Sequence, residues 1–199
     1  HRRLDDLMNT TEPSEVIYRG PRVDDDEIFE ACPEALERLL RKCNGLIAYK
    51  GGLHLRGACS HPDWHSLREV WRGEHAFHRH YAAISPYDVP FAEDCLGDQF
   101  FLRDGDVIRL SAETGEIEPL YMSLDEFMAA CERDPVGFLR LHPLIEWQHG
   151  NNELHPGELL SVYPPLCCEE AAEGVTVESV GTLERLSYLA ELSRQVSEA

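Results

Sequence analysis

The stretch of residues 90–120 constrains the fold of this chain more than any other part of its sequence. Short apolar runs alternate there with the turn-forming pairs Asp104-Gly105 and Thr114-Gly115. An Asp-Gly pair accepts the positive φ angles of a two-residue hairpin turn, and apolar runs around such turns are typical of β-strands. The sequence therefore predicts a meander of three consecutive antiparallel strands, at residues 99–103, 106–111 and 116–120.

Acidic side chains surround this predicted meander, and only Arg103 and Arg109 offset them within it. We identify six of them as candidate partner-binding residues: Glu93, Asp94, Asp98, Glu113, Glu116 and Glu118. Carboxylates beside a glycine turn often accept backbone N–H groups, so Asp94 and Asp98, which flank Gly97, are more typical of turn-fixing residues. The three glutamates are the better candidates for an exposed, partner-facing edge.

The overall charge agrees with a cationic partner. The chain has 18 basic and 37 acidic residues among 199, which gives a formal net charge of −19. Such a charge steers a protein towards basic surfaces and repels phosphate backbones and anionic membranes, so we expect no nucleic-acid or membrane partner. With 43% hydrophobic residues, the chain is able to form a core as one domain.

The seven cysteines are an odd number and contain no CxxC pair. This pattern favours reduced thiols over a disulfide framework and predicts a cytoplasmic protein. The sequence has no apolar stretch of membrane-spanning length and no signal-like start.

Local patterns outside the meander predict a single domain of the α+β class, in which helices pack on an antiparallel or mixed sheet. We expect a loosely ordered arm at residues 1–25, a domain at residues 26–199 and a C-terminal extension from about residue 156. The predicted elements are a helix after Pro33, two strands within 46–55, a helix from Trp64 capped by Asp63, a helix capped by Ser123 and Glu126, irregular chain with at most one turn of helix at 143–165, a strand at 175–180 and a last helix capped by Thr182.

Histidines raise the alternative of a metal-dependent hydrolase. His61 and His65 are four residues apart near Cys59 and Asp63, and His78 and His80 follow. Pro62 disfavours a helical conformation at His61, and no zinc-protease signature is present. We therefore expect no catalytic residue, no metal site and no cofactor.

The order of the motifs adds a resemblance. Four segments follow one another along the chain. They are a proline-led helix ending in Asn44-Gly45-Leu46, a Gly-Gly-Leu segment at 51–53, a segment with Trp64, and the 93–118 stretch running into residues 123–127. This order resembles the SUKH superfamily, which includes the fungal cell-wall synthesis regulators Smi and Knr and many bacterial immunity proteins. The resemblance covers residues 26–135. It implies an α+β fold, no enzymatic activity and motif residues that mostly shape the fold.

The resemblance and the charge together predict an immunity protein, or antitoxin, of the bacterial cytoplasm. Such a protein neutralises a cognate polymorphic toxin, often a nuclease or deaminase, by stoichiometric binding. An acidic protein suits the basic cleft of a nuclease toxin. A Smi/Knr-like regulatory scaffold that recruits other cellular proteins stays open as an alternative.

Overall fold

The computed structural model describes residues 16–199, and a seven-stranded antiparallel sheet forms its centre. Each strand pairs with the next one along the chain, so the order in space equals the order in sequence. The strands are β1 (Tyr18–Arg19), β2 (Leu46–Ala48), β3 (Leu53–Leu55), β4 (Val89–Asp94), β5 (Gln99–Arg103), β6 (Asp106–Leu110) and β7 (Ile117–Pro119). Helices pack on this sheet, and the predicted α+β class is confirmed.

The predicted meander is confirmed as β5, β6 and β7. Arg103 pairs with Asp106 across the first turn, and Leu110 pairs with Ile117 across the second junction. At the first turn Asp104 has φ +52° and Gly105 has φ +89°, the conformation for which an Asp-Gly pair is suited. The two turns fix the register, and the register decides which acidic side chains face the core.

The helices follow the predicted amphipathic patterns in most places. They are α1 (Asp26–Ala31), α2 (Glu34–Lys42), α3 (Leu67–Trp71), α4 (Leu124–Arg133), α5 (Pro135–Phe138), α6 (His142–His149) and α7 (Thr182–Glu198). The capping box at the start of α4 is present, since the Ser123 hydroxyl accepts from the Glu126 N–H and the Glu126 carboxylate accepts from the Ser123 N–H.

Alternating residues of the meander enter two apolar clusters, one on each face of the sheet. Phe100 and Val107 pack with Leu36 and Phe127 from α2 and α4. Phe101, Ile108 and Leu110 lie in a second cluster with Phe77, Tyr81 and Leu186. Because both faces of the sheet are covered, a polar side chain on its inner strands is buried unless it lies at an end or an edge.

The prediction of irregular chain at 143–165 is wrong. Residues His142–His149 form α6, and β8 (Glu158–Tyr163) pairs with β9 (Thr176–Gly181) along its whole length. Leu159, Leu160 and Val162 are buried, and their apolar contacts outweigh the many Gly, Pro and Asn residues nearby. The C-terminal segment from residue 156 therefore contributes to the core.

Three other predictions differ from the structure. Residues 1–15 of the predicted arm lie outside the described residues, but Tyr18–Arg19 forms the edge strand β1, so that part is not loosely ordered. Asp63 begins a 3₁₀ turn at Asp63–His65, and α3 starts only at Leu67. Gly181, not Thr182, occupies the N-cap position of α7.

Candidate functional site

Glu93 lies inside the protein, so its assignment as a surface residue for a partner is wrong. Its side chain is 0% exposed and accepts from Arg56 at 2.7 Å, from His54 at 2.8 Å and from Gln99 at 3.0 Å. The sheet register assembles this cluster, because His54, Glu93 and Gln99 are direct neighbours across β3, β4 and β5. A buried carboxylate needs such compensation, and Arg56 supplies the balancing charge.

The cluster continues from His54 into a chain of hydrogen bonds. His54 Nε2 lies 2.8 Å from His65 Nδ1, and His65 Nε2 lies 2.9 Å from the carbonyl oxygen of Asn44. Both ends of this chain, the Glu93 carboxylate and the Asn44 carbonyl, are acceptors. Three contacts therefore need three protons, whereas two neutral imidazoles supply only two. All three hydrogen bonds form together only when the chain holds one additional proton.

Burial opposes that additional proton. Desolvation lowers the pKa of His54, against the raising effect of Glu93, and it lowers the pKa of His65 to about 3. For Glu93 desolvation is the largest single influence and raises the pKa, but Arg56 and His54 together hold it at about 2. The site is a compact, fully buried charge network, and its geometry gives it a structural role.

Asp94 is also buried, on the opposite face of β4 from Glu93, because consecutive residues of a strand point to opposite sides. Its Oδ1 accepts the N–H groups of Leu96, Gly97 and Asp98, and its Oδ2 accepts from Arg109 at 2.6 Å. Burial and the neighbouring Asp98 raise the pKa of Asp94 to about 7, against the lowering effect of Arg109 and the backbone donors. Its assignment as a partner-binding residue is wrong, and the turn-fixing interpretation is confirmed.

Asp98 completes the same turn from a half-buried position. Its Oδ1 accepts a hydrogen bond from the Ala112 N–H at 2.9 Å, and its Oδ2 accepts one from Arg109 at 3.3 Å. Asp98 therefore links the turn before β5 to the residues after β6. Both carboxylate oxygens are therefore engaged within the fold. The structure places Asp98 beside Asp94 as a structural residue.

Glu113 accepts two backbone N–H groups from a distant segment. Its oxygens lie 3.1 Å from the Leu166 N–H and 2.7 Å from the Cys167 N–H. This half-buried glutamate fastens the loop after β8 to the meander, and it therefore differs from the exposed edge residue that the sequence predicts. Local burial of the sulfur and the charge of the Glu113 carboxylate raise the pKa of Cys167 to about 12, so its thiol stays protonated at neutral pH.

Glu116 and Glu118 are the candidates that the structure leaves exposed. Glu118 lies on the edge strand β7 and makes one exposed contact of 3.4 Å with Arg140. Among residues 16–199, Glu116 has no ion pair. Charged side chains on an edge strand also discourage strand-to-strand aggregation, so these two residues have a structural explanation beside the functional one.

The histidines of the hydrolase alternative do not form a cluster. His65 is buried against His54, whereas His61 and His80 are exposed. In the described part of the chain, no group of three His, Cys, Asp or Glu side chains has the geometry to hold a metal ion. All seven cysteines are free thiols, and only the neighbours Cys167 and Cys168 are consecutive in the chain.

Two exposed tyrosines at one end of the meander were not identified from the sequence. Tyr87 is 89% exposed and Tyr121 is 85% exposed, the highest values among the large apolar side chains. Each stands beside apolar or proline residues, a context that gives no local signal of exposure. The partners Arg56 and Gln99 of Glu93 were missed as well, because they come from other strands.

Neither a scan against protein-family models nor a search of curated proteins finds a match to this chain. Over residues 16–199, no helix has the length and apolar character needed to cross a membrane.

Proposed function

We propose that this chain is a SUKH-like immunity protein that neutralises a cognate toxin by stoichiometric protein–protein binding, without catalysis. The proposal rests on the resemblance of the motif order and on the exposed acidic surface of the meander. The partner is a protein with a basic surface, such as the substrate cleft of a nuclease, and the compartment is the cytoplasm.

The observation that carries the proposal is the way in which the basic residues are used. Nine arginines form ion pairs with carboxylates of the same chain: Arg38, Arg41, Arg56, Arg68, Arg72, Arg103, Arg109, Arg140 and Arg194. These arginines neutralise carboxylates within the fold, so the net charge of −19 lies on other, exposed carboxylates with few cations nearby. Glu116, Asp104 and Asp106 belong to this group, and all are exposed on the meander.

An acidic surface on a rigid sheet favours fast association with a basic protein. Electrostatic steering raises association rates by about one to three orders of magnitude over a neutral encounter, and the effect declines with salt. Asp98 binds the Ala112 N–H at the end of β6, and the Arg103–Asp106 pair closes the hairpin turn at the other end, so the backbone that carries these carboxylates is held by the sheet and little conformational entropy is lost on binding.

The test begins with copurification of the tagged full chain from its native cells and identification of the bound protein. That protein is then expressed in a host with and without this chain. We expect it to arrest growth alone, growth to be restored by this chain, and the two to form a 1:1 complex in light scattering.

Two outcomes contradict the proposal. A stably bound protein that does not harm growth supports the regulatory scaffold. A toxic partner that this chain modifies at substoichiometric amounts supports an enzyme, and the half-buried His75 and His78 and the exposed His80 are then the first residues to test by substitution.

A further inference from the structure

The end of the meander at the β5–β6 hairpin carries two exposed aromatic rings on either side of two exposed carboxylates. We call Tyr87, Asp104, Asp106 and Tyr121 the hairpin-end surface. We infer that this surface is the centre of the contact with the partner, and that it takes a protein surface presenting two or more arginine or lysine side chains. The inference rests on the proposed function, since it assigns the toxin contact to a defined place.

Register places the four residues at one end of the sheet. Val89 pairs with Leu102, Leu102 pairs with Val107, and the Val107 backbone bonds to Leu120 and Met122 on either side of Tyr121. Tyr87 precedes Val89 by two residues. With strands about 4.8 Å apart, three spacings separate the two tyrosine-bearing segments by about 14 Å, with the hairpin between them.

Tyr87 is held on a rigid support. The Ser85 N–H donates to Asp88 at 2.7 Å, and the Asp88 N–H donates to the Ser85 carbonyl at 3.0 Å. Arg103, the last residue of β5, binds both oxygens of Asp88 at 2.9 and 2.6 Å. This turn is therefore fastened to the hairpin, and the Tyr87 side chain that it carries is 89% exposed.

Tyr121 is also presented by a fixed backbone. Its φ of +53° is unusual for a bulky residue, and Leu120 and Met122 on either side pack against the core. The Val107 N–H donates to the Met122 carbonyl at 2.8 Å, and the Leu120 N–H donates to the Val107 carbonyl at 3.0 Å. The left-handed conformation at Tyr121 thus allows both neighbours to pack, partly buried, against the core while Tyr121 remains 85% exposed.

Within residues 16–199, the two carboxylates between the rings, Asp104 and Asp106, have no ion pair and no side-chain hydrogen bond. The adjacent Arg103 binds Asp88, and Asp104 acts on that arginine only through its charge. Aspartate carboxylates accept strong charge-assisted hydrogen bonds from guanidinium and ammonium groups, and the faces of tyrosine rings attract the same cations. The combination of rings and acids is therefore complementary to a basic protein.

Tyrosines in the centre of an interface account for much of its binding energy, whereas charges at its rim mainly change the association rate. The hairpin-end surface supplies such a centre, and Glu118 and Glu116 lie outside it, opposite Arg109 and Ser111 towards the other end of β6. Association with a second copy of this chain is opposed, because two hairpin-end surfaces would bring four aspartates together.

The experiment uses the protein that copurifies with the wild-type chain, purified and titrated into the wild type and three variants of the full chain. The variants are Tyr87→Ala/Tyr121→Ala, Asp104→Asn/Asp106→Asn and the matched control Tyr163→Ala. Tyr163 is 69% exposed on β8, away from the hairpin. Asparagine tolerates the positive φ at position 104, so the turn is preserved.

We expect the double tyrosine variant to raise Kd by at least about 30-fold, a typical hot-spot loss, with an unchanged melting temperature. The double asparagine variant should lower the association rate by about tenfold and weaken its salt dependence. Tyr163→Ala should behave as wild type. Hydroxyl-radical footprinting should show protection of Tyr87 and Tyr121, and not of Tyr163, in the complex.

Different failures identify different errors. Wild-type affinity in the tyrosine variant, with protection of Tyr163 instead, overturns this inference while growth protection by the wild-type chain still supports the immunity function. If the Tyr87→Ala/Tyr121→Ala variant loses affinity but the wild-type chain does not protect growth, the immunity function is overturned. The assignment of the contact surface is then still supported. A wild-type chain that binds only a second copy of itself overturns both.

Discussion

His54 and His65 share a hydrogen bond inside the protein, with 2.8 Å between His54 Nε2 and His65 Nδ1. Both side chains are buried. Glu93 and the Asn44 carbonyl close the chain at its two ends. This pair links strand β3 to the segment before α3, and its protonation is coupled to folding.

Acidification should destabilise the protein through this pair. Burial lowers the pKa of both histidines below the ordinary 6.5, that of His65 to about 3. Between these pH values the unfolded chain therefore binds protons that the folded chain does not. The contribution of the neutral histidine pair to the free energy of unfolding is complete above pH 6.5 and is lost as the pH falls towards 3. The free energy of unfolding should decrease by about 1.4 kcal/mol per pH unit for each proton, measured by urea unfolding between pH 7.5 and 4.5.

A matched pair of variants isolates this effect. Replacing the buried pair, His54→Gln/His65→Gln, should lower stability at pH 7.5 and flatten the slope, whereas replacing the more exposed His61, His78 and His80 by Gln should leave the slope unchanged. An equal slope in wild type and in His54→Gln/His65→Gln would mean that the folded network accepts the third proton that its three contacts require, because the opposing contribution of Asp94, whose pKa is raised to about 7, is the same in both proteins.

Glu93→Gln should destabilise the fold before it affects any partner. The substitution leaves the Arg56 guanidinium, whose side chain is 0% exposed, without its carboxylate. Breaking a buried ion pair from one side costs about 3–5 kcal/mol, and urea unfolding followed by circular dichroism measures it. The control Glu116→Gln should change stability by less than about 0.5 kcal/mol. Unchanged stability of Glu93→Gln with lost partner binding would place Glu93 on the interface after all.

Asp94 and Asp98 should differ in the size of their effect on stability. Asp94→Ala removes the acceptor of three backbone N–H groups and the partner of buried Arg109, so we expect a loss of about 3 kcal/mol or more. Asp98→Ala, at a half-buried site, should cost about 1–2 kcal/mol. Melting curves test this order, and Asp94→Asn, which keeps one acceptor oxygen, should lie between Asp94→Ala and wild type.

The protein should contain no stoichiometric zinc, and the combined replacement of His61, His78 and His80 by Gln should leave its biological effect intact. The reason is that these side chains are not brought together with a carboxylate or thiolate in the described fold. Elemental analysis of protein purified without chelators measures the metal content. About one zinc per chain, lost on these replacements, would return the hydrolase hypothesis to first place.

Local sequence predicted the elements whose signals are local. The Asp104-Gly105 turn, the stripe of α2 and the capping box of α4 depend on residues within a few positions of one another, and all are confirmed. The turn-fixing interpretation of Asp94 succeeded for the same reason, because its acceptor contacts reach only two to four residues along the chain.

Contacts between distant parts of the chain were not predictable in this way. Glu93 is neutralised by Arg56, which lies 37 residues earlier, and Glu113 fastens backbone groups 53 and 54 residues later. The local sequence around an acidic residue in a strand is the same whether that residue pairs with a distant arginine inside the fold or is exposed to solvent. The exposure of Tyr87 and Tyr121 likewise depends on how neighbouring segments meet the sheet.

Charge reversal on the edge strand tests how the acidic surface acts. Glu116→Lys/Glu118→Lys should slow association with the copurified partner by about tenfold or more, with little change in stability, because exposed rim charges act on the encounter rate. The control Glu178→Lys/Glu184→Lys makes the same change in net charge at exposed positions of β9 and α7.

Stopped-flow association across a salt series separates local from global electrostatics. The wild-type rate should fall as salt rises, since the screening length is only about 8 Å at physiological ionic strength. If the edge variant and the control slow association equally, the net charge of the molecule steers the partner and the edge has no special position. Glu113→Lys should behave differently from both, because it releases the loop at Leu166 and Cys167 and so lowers the melting temperature first. If neither salt nor the edge variant changes the association rate, the acidic residues of this edge do not steer the partner. Their role is then to prevent aggregation at the sheet edge.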